Sequence, residues 1–388
     1  MYQPIATESS RKKLLTAYPS WLSQVQTYWW MWSGQNDKVI DYWTTVLKQD
    51  MSKPQISAVK FMIKAQAFSE AREYLERLIH IDTENIGEIR YLLARCYLGQ
   101  GQLSNAIEEI ELALDVEPEK AQYLDFLADC LLEIGDWQGA VEALNKSLRA
   151  DPKQSETIFR LGTIYSYHGE HLEALRCFQG CCELQPNRPV YWEMKAETHL
   201  QLRQLPQAAR SFERSLRFGM NPDVAARLAY CYIQLNKVKK GIDYYKMVLK
   251  YEPDHYDALC NLAAAYQNIG RSVDALTLLE KAKTIYPNDP ILLNNLGYTL
   301  VHLGRTRKAI EQYQEALRIA HDHPLILYNL SICYAQKGNW NAAKETLSCL
   351  LTVDSNHSDG WILLGNVYDN TEEYDLAVDC YNRALNLH

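Results

Sequence analysis

Along most of the chain, apolar residues return at helical spacing in runs of about a dozen residues, broken by short polar turns. The stretches ALCNLAAAYQNIG (258–270), ILLNNLGYTLVHLG (291–304) and LILYNLSICYAQKG (325–338) are three such runs. Each ends on a glycine, the residue that most readily closes a helix in the left-handed conformation. Each also carries an asparagine inside its apolar pattern: Asn261, Asn295 and Asn329, spaced 34 and 34 residues apart. A buried amide without a partner costs free energy, so a polar side chain that recurs with a fixed period calls for a reason.

The period extends well beyond these three runs. A 34-residue frame fits nine units starting at residues 87, 121, 155, 189, 222, 256, 290, 324 and 358, with one unit a residue short. Position 8 is Ala94, Ala128, Gly162, Ala196, Ala229, Ala263, Gly297, Ser331 and Gly365. Position 20 is Ala106, Ala140, Ala174, Ala208, Gly241, Ala275, Ala309, Ala343 and Ala377. Two helices approach closely only where their crossing point lacks bulk. Position 7 is mostly Leu and position 11 mostly Tyr, which supplies apolar filling around that point. Position 15 is Gly101, Gly135, Gly169, Gly270, Gly304 or Gly338 in six units. Position 32 is Pro118, Pro152, Pro186, Pro253 or Pro287 in five, which stops the second helix. Each unit therefore reads as helix A, tight turn, helix B, turn. An all-α chain of stacked helical hairpins is expected, with no sheet.

This pattern resembles the tetratricopeptide repeat, and the residues above carry the resemblance over 87–388. Residues 20–52 and 53–86 keep the helix lengths and a turn but lose most signature residues. They read as two degenerate units in an N-terminal cap spanning 1–86, contiguous with the nine units as one solenoid. The resemblance implies a right-handed superhelix whose A helices line a concave groove, with positions 2, 5, 6, 9, 12 and 13 facing it.

Asn261, Asn295 and Asn329 all fall at position 6, so they would stand in a row along that groove. An amide offers two donors and an acceptor, so a row of them can bond the backbone of an extended peptide whatever its side chains. The alternative is that each amide satisfies a group in the neighbouring unit. The row resembles the asparagine array in the repeat domain of the O-linked N-acetylglucosamine transferase, a match resting on three positions. Asn294 and Tyr328 at position 5, Arg227 at position 6, and Tyr230, Tyr298 and Asn366 at position 9 would flank the peptide. Earlier units place Asp125, Asp129, Glu133, Glu193 and Glu197 at groove positions, among Arg95, Phe159, Arg160 and Tyr167. That segment either receives a basic partner or is simply solvated. The family's clamp for a C-terminal carboxylate needs Lys at position 5, which no unit has.

Composition narrows the function. The net charge of −8 over 388 residues argues against a role in nucleic-acid binding. No run of about 18 apolar residues suggests a membrane span, and no secretory leader is evident. Ten scattered cysteines then fit a reducing, cytoplasmic setting. Cys96, Cys130, Cys231 and Cys333 share position 10, a core slot. HGEHLEALRCFQGCC lacks metal-ligand spacing, and GWILLGN has Asn366 where a phosphate loop needs Lys. No catalysis, cofactor or metal is expected.

The two ends suggest further contacts. Trp21, Trp29, Trp30, Trp32 and Trp43 crowd the N-terminus, where YWWMW points apolar side chains to every side of a helix. They are covered either by capping within the N-terminal helices or by a partner. Leu376, Val378, Tyr381 and Leu385 would leave an apolar edge on the last helix, open to self-association or a partner. The function expected is a non-catalytic scaffold or adaptor holding an extended peptide segment. The rivals are a secretion or assembly chaperone for an apolar partner and a regulatory sensor of a small peptide signal.

Overall fold

A computed structural model describes Thr27, residues 30–49 and residues 56–386. Trp21, Tyr28 and Trp29 lie outside the described residues. All regular structure among the described residues is α-helical, and it forms two compact units, 1–186 and 187–388.

The first unit contains α1 (Asn36–Gln49), α2 (Ile56–Lys64), α3 (Phe68–Leu78), α4 (Ile86–Gly99), α5 (Leu103–Val116), α6 (Ala121–Glu133), α7 (Trp137–Ala150), α8 (Ser155–Tyr167) and α9 (His171–Leu184). The second contains α10 (Pro189–Gln201), α11 (Leu205–Leu216), α12 (Pro222–Gln234), α13 (Val238–Tyr251), α14 (Tyr256–Asn268), α15 (Ser272–Ile285), α16 (Pro290–His302), α17 (Thr306–Ile319), α18 (Pro324–Gln336), α19 (Trp340–Val353), α20 (Ser358–Asn370) and α21 (Tyr374–Leu385). From α4 onward the even-numbered helices are the A helices of the 34-residue frame and the odd-numbered ones are the B helices. Proline opens α10, α12, α16 and α18, where its missing N–H costs nothing.

Each A helix packs on its own B helix, and each B helix on the next A helix within its unit. The small residues sit at the crossing. Ala94, Ala128, Ala263, Ala309 and Ala343 are all fully buried. Position 24 of helix B presses against position 8. Where position 8 is Gly162, Gly297 or Gly365, position 24 is an aromatic ring: Phe178, Tyr313 or Tyr381. A Cβ on Gly297 would lie 2.7 Å from the Tyr313 ring, and one on Gly162 would lie 2.8 Å from the Phe178 ring. The missing methyl group makes room for the ring.

Every A–B turn from Gln66 onward uses one left-handed residue. Gly101, Gly135, Gly169, Gly270, Gly304 and Gly338 have φ between 69° and 84°. The units that lack glycine force the same conformation on other residues: Gln66 (φ 65°), Arg203 (φ 56°), Asn236 (φ 58°) and Glu372 (φ 63°). Gln66 joins α2 to α3, so this pair keeps the turn of a repeat after losing its glycine. Gly34, with φ 72°, precedes α1 in the same way.

At the N-terminus Trp43 is buried, stacks on Phe61 with ring centroids 5.9 Å apart, and donates from Nε1 to Thr27 Oγ1 at 3.0 Å. Trp30 is half-buried, whereas Trp32 is 87 % exposed. No described helix is long and apolar enough to cross a membrane.

Two outcomes in chemical denaturation follow. Gly297→Val drives a side chain into the buried Tyr313 ring and should lower stability by about 1–3 kcal/mol. Glu372→Gly relieves a left-handed non-glycine residue and should raise stability by up to about 1 kcal/mol.

Candidate functional site: the inner wall of the second unit

In the second unit the A helices meet one another directly: α12 touches α14, α16 touches α18, and α18 touches α20. No pair of B helices makes contact to that extent. A stack whose A helices lie closer together than its B helices curves toward the A side. The A helices therefore form the inner wall.

Position 6 faces that wall, and its occupants behave in two ways. Arg227 reaches back to Glu197, at position 9 of the preceding repeat, in a short ion pair. This bond raises the guanidinium pKa further above its ordinary value. Asn329 also reaches back, donating from Nδ2 to Asn294 Oδ1 at 2.9 Å. Asn261 and Asn295 do not: among the described residues neither amide side chain has a hydrogen-bond partner. Asn261 is exposed and Asn295 is half-buried. The preceding repeats explain the difference. Behind Asn261, position 5 is Ala226 and the exposed Tyr230 at position 9 makes no bond to it; behind Asn295, positions 5 and 9 are Cys260 and Ala264, which offer no strong acceptor.

Asn294 and Asn295 are adjacent in sequence and so point about 100° apart around the helix. Asn294 turns inward and is only 4 % exposed, with its carbonyl accepting from Asn329. It lies behind the wall, and its amide satisfies the neighbouring repeat.

The flanking positions form a mixed surface. Tyr230 and Tyr298 are each 44 % exposed, and Tyr298 lies edge-on to His302 at 4.5 Å. Tyr328 is half-buried beside His357, with ring centroids 5.0 Å apart. Burial raises the Tyr328 phenol pKa, with a smaller contribution from Asp359. Asn366 is exposed and its Oδ1 accepts from the Tyr381 hydroxyl at 2.8 Å. Exposed Ile291, Leu325 and Ile362 add apolar area, a contribution the residue frame did not single out.

The acidic groove residues are largely engaged within their own units. In the first unit Arg160 pairs with Asp129, and Thr157 Oγ1 donates to Asp125 Oδ2 at 3.2 Å. Burial raises the Asp129 carboxyl pKa, against the pull of Arg160. In the second, Ser215 Oγ donates to Glu193 Oε1 at 2.8 Å, and Glu197 holds Arg227. The signal for these pairs is present in the sequence as a cation at position 6 facing an acid at position 9 of the repeat before.

All ten cysteines are free. Cys96, Cys130, Cys231 and Cys333 are buried at position 10, and burial pushes the Cys333 thiol up to about 11. Among the described residues no three metal-ligating side chains converge. On α21, Leu376, Val378 and Leu385 are exposed and Tyr381 is half-buried.

The Asn294–Asn329 pair yields a stability test by a double-mutant cycle. Asn329→Ala strands the buried Asn294 carbonyl and should cost about 1–3 kcal/mol. Replacing both residues by leucine should cost less than the single alanine change, because no buried polar group is then left unpaired.

Models of the tetratricopeptide repeat match residues 62–130, 155–188, 227–255, 244–277, 288–356 and 358–387. No curated protein matches in sequence. Solved structures similar in fold include that of MamA, at 22 % identity and a TM-score of 0.40, covering 41 % of this chain and 94 % of that one. Another is YrrB, described as a tetratricopeptide protein with an unusual peptide-binding site, at 21 % identity and 0.42, covering 48 % and 97 %. A third is the Cut9–Hcn1 hetero-tetramer of the APC/C, at 14 % identity and 0.47, covering 93 % and 86 %. Successive repeat models cover well over half of the sequence and coincide with the helix pairs seen in the structure, so the chain belongs to the tetratricopeptide repeat family.

Proposed function

We propose that the chain is a non-catalytic scaffold whose second unit holds an extended segment of a partner protein along its inner wall. The amides of Asn261 and Asn295 bond the segment's backbone, one in each of two successive repeats. Tyr230, Tyr298 and Tyr328 give contact area at low entropic cost, and Arg227 and Asn366 border it on either side. The Asn294–Asn329 bond holds α16 against α18 and so fixes the spacing of the wall.

One observation carries this reading: two wall-facing amides, one repeat apart, have no hydrogen-bond partner among the described residues. In water they lose nothing, and a peptide backbone supplies a donor and an acceptor for each. Apolar Ile291, Leu325 and Ile362 favour a segment with apolar side chains between its backbone contacts. They also keep the chaperone reading in view, in which apolar contact supplies most of the affinity. The same double variant separates the two readings.

Peptides selected from a random library against the whole chain provide the ligand for the test. Counting one net backbone hydrogen bond per amide, each loss should cost about 0.5–1.5 kcal/mol. The Asn261→Ala, Asn295→Ala double variant should therefore bind about 5- to 150-fold more weakly by calorimetry, with its melting temperature unchanged. Unchanged affinity would contradict the amide reading and leave an apolar wall as the source of binding.

A further inference from the structure

The turns of the second unit lie on two opposite edges, because alternating antiparallel helices send every A–B turn to one edge and every B–A turn to the other. The charges on these edges are distributed differently. The B–A edge is mixed, with Glu252, Asp254, Asp257, Asp322, Asp354 and Asp359 beside Lys250, Lys281, Lys283 and Arg318. The A–B edge carries Arg203, then Lys237, Lys239 and Lys240, then Arg271, then Arg305, Arg307 and Lys308, then Lys337, and turns acidic only at the last repeat, with Asp369, Glu372, Glu373 and Asp375. All nine of these cations are exposed. Acids near them are few: Asp274 is paired with Arg271 at 2.7 Å, and Asp243 and Glu311 lie one turn further into their helices. Lys237 and Lys240 rest over the Tyr232 ring, 5.9 and 5.3 Å from its centroid. Arg305, Arg307 and Lys308 have no partner among the described residues.

The placement works against local stability. Helix N-termini favour Asp, Ser, Thr or Asn as caps and acids in the first turn, because the dipole is positive there. Three successive B helices place a cation at the cap position, although α15 keeps Asp274 in its first turn. Lys237 caps α13, Arg271 caps α15 and Arg305 caps α17, none with a side-chain capping bond. The cap residues on either side are not cations: Gln204 precedes α11 without a side-chain bond, and Asn339 caps α19, its Oδ1 accepting from Ala342 N. Local rules are commonly broken where a surface serves something other than the fold.

We infer that this basic ridge is a second docking surface, separate from the inner wall, and that it takes an extended, Asp/Glu-rich segment of a partner protein. Equivalent turns in successive repeats are on the order of 10 Å apart, the spacing of packed helices. An extended chain advances about 3.3–3.6 Å per residue, so carboxylates at about every third residue meet one cluster per repeat. The free N–H groups at the starts of α13, α15 and α17 add to the attraction for carboxylates. A single row of cations suits a single strand. The chain's net charge of −8 opposes the approach of a larger anionic body such as a duplex or a membrane. Exposed Ile269 and Val273, beside Arg271, offer apolar contact between the charges.

The probe is a fluorescein-labelled peptide with glutamate at every third position, titrated with the full chain by anisotropy at low and high salt. Expected are binding that weakens with salt and a loss of roughly tenfold or more on replacing Lys237, Lys239, Lys240, Arg305, Arg307 and Lys308 with Gln. The melting temperature of that variant should not fall, since cations have left the positive ends of helices. Should it misfold, the two triple variants (237/239/240 and 305/307/308) each have to weaken binding. The Asn261→Ala, Asn295→Ala variant should bind the acidic peptide as the wild type does. Unchanged affinity in the lysine and arginine variants would overturn the proposal. So would loss of the peptide in the asparagine variant, or tighter binding of a DNA duplex or phosphatidylserine vesicles.

Discussion

The close crossing of helix A and helix B, at positions 8 and 20 of each repeat, is the constraint on which everything else rests. A larger side chain there would hold the two helices apart, and the next repeat would no longer seat on them. The chain meets the constraint with a trade between two positions. In three repeats position 24 brings a ring, Phe178, Tyr313 or Tyr381, and position 8 gives up its methyl group and becomes Gly162, Gly297 or Gly365, whereas the rings Phe212 and Tyr245 are accommodated with Ala196 and Ala229 at position 8. Where position 24 is Ile110, Leu144 or Leu279, position 8 keeps alanine. The exchange of a methyl group for a ring is thus one way in which the repeats fill a close-packed interior with different residues.

That regularity is why the fold was legible in the sequence. Small residues at two fixed places and a left-handed turn at a third are conditions that few residue types satisfy, so they leave a visible trace. Legibility failed where the conformation persists without its usual residue. Gln66, Arg203, Asn236 and Glu372 all adopt the left-handed turn, yet none announces it, and reading by residue type leaves α2 and α3 looking degenerate. The backbone there is held by the packing of helices on both sides.

The site was half legible. The 34-residue spacing placed Asn261, Asn295 and Asn329 on one wall, but it could not say which of them would be occupied. That depends on the residue opposite in the preceding repeat. Arg160 finds Asp129, Arg227 finds Glu197 and Asn329 finds Asn294, whereas Asn261 and Asn295 make no such bond to the repeat before them. Position 6 therefore does two jobs. It ties repeats together where a partner stands behind it and is left open where none does. Asn294 shows the limit of a frame based on residue spacing alone. Its place at position 5 assigns it to the groove, yet it is 4 % exposed and bonded to Asn329.

The most direct measurement is the nuclear magnetic resonance spectrum of the chain with ¹⁵N-labelled asparagine side chains, recorded with and without a library-selected peptide. The side-chain amide signals of Asn261 and Asn295 should move on binding, while those of Asn294 and Asn329, already bonded to each other, should stay in place. Movement confined to Asn294 and Asn329, or to asparagines on the B helices, would contradict the account.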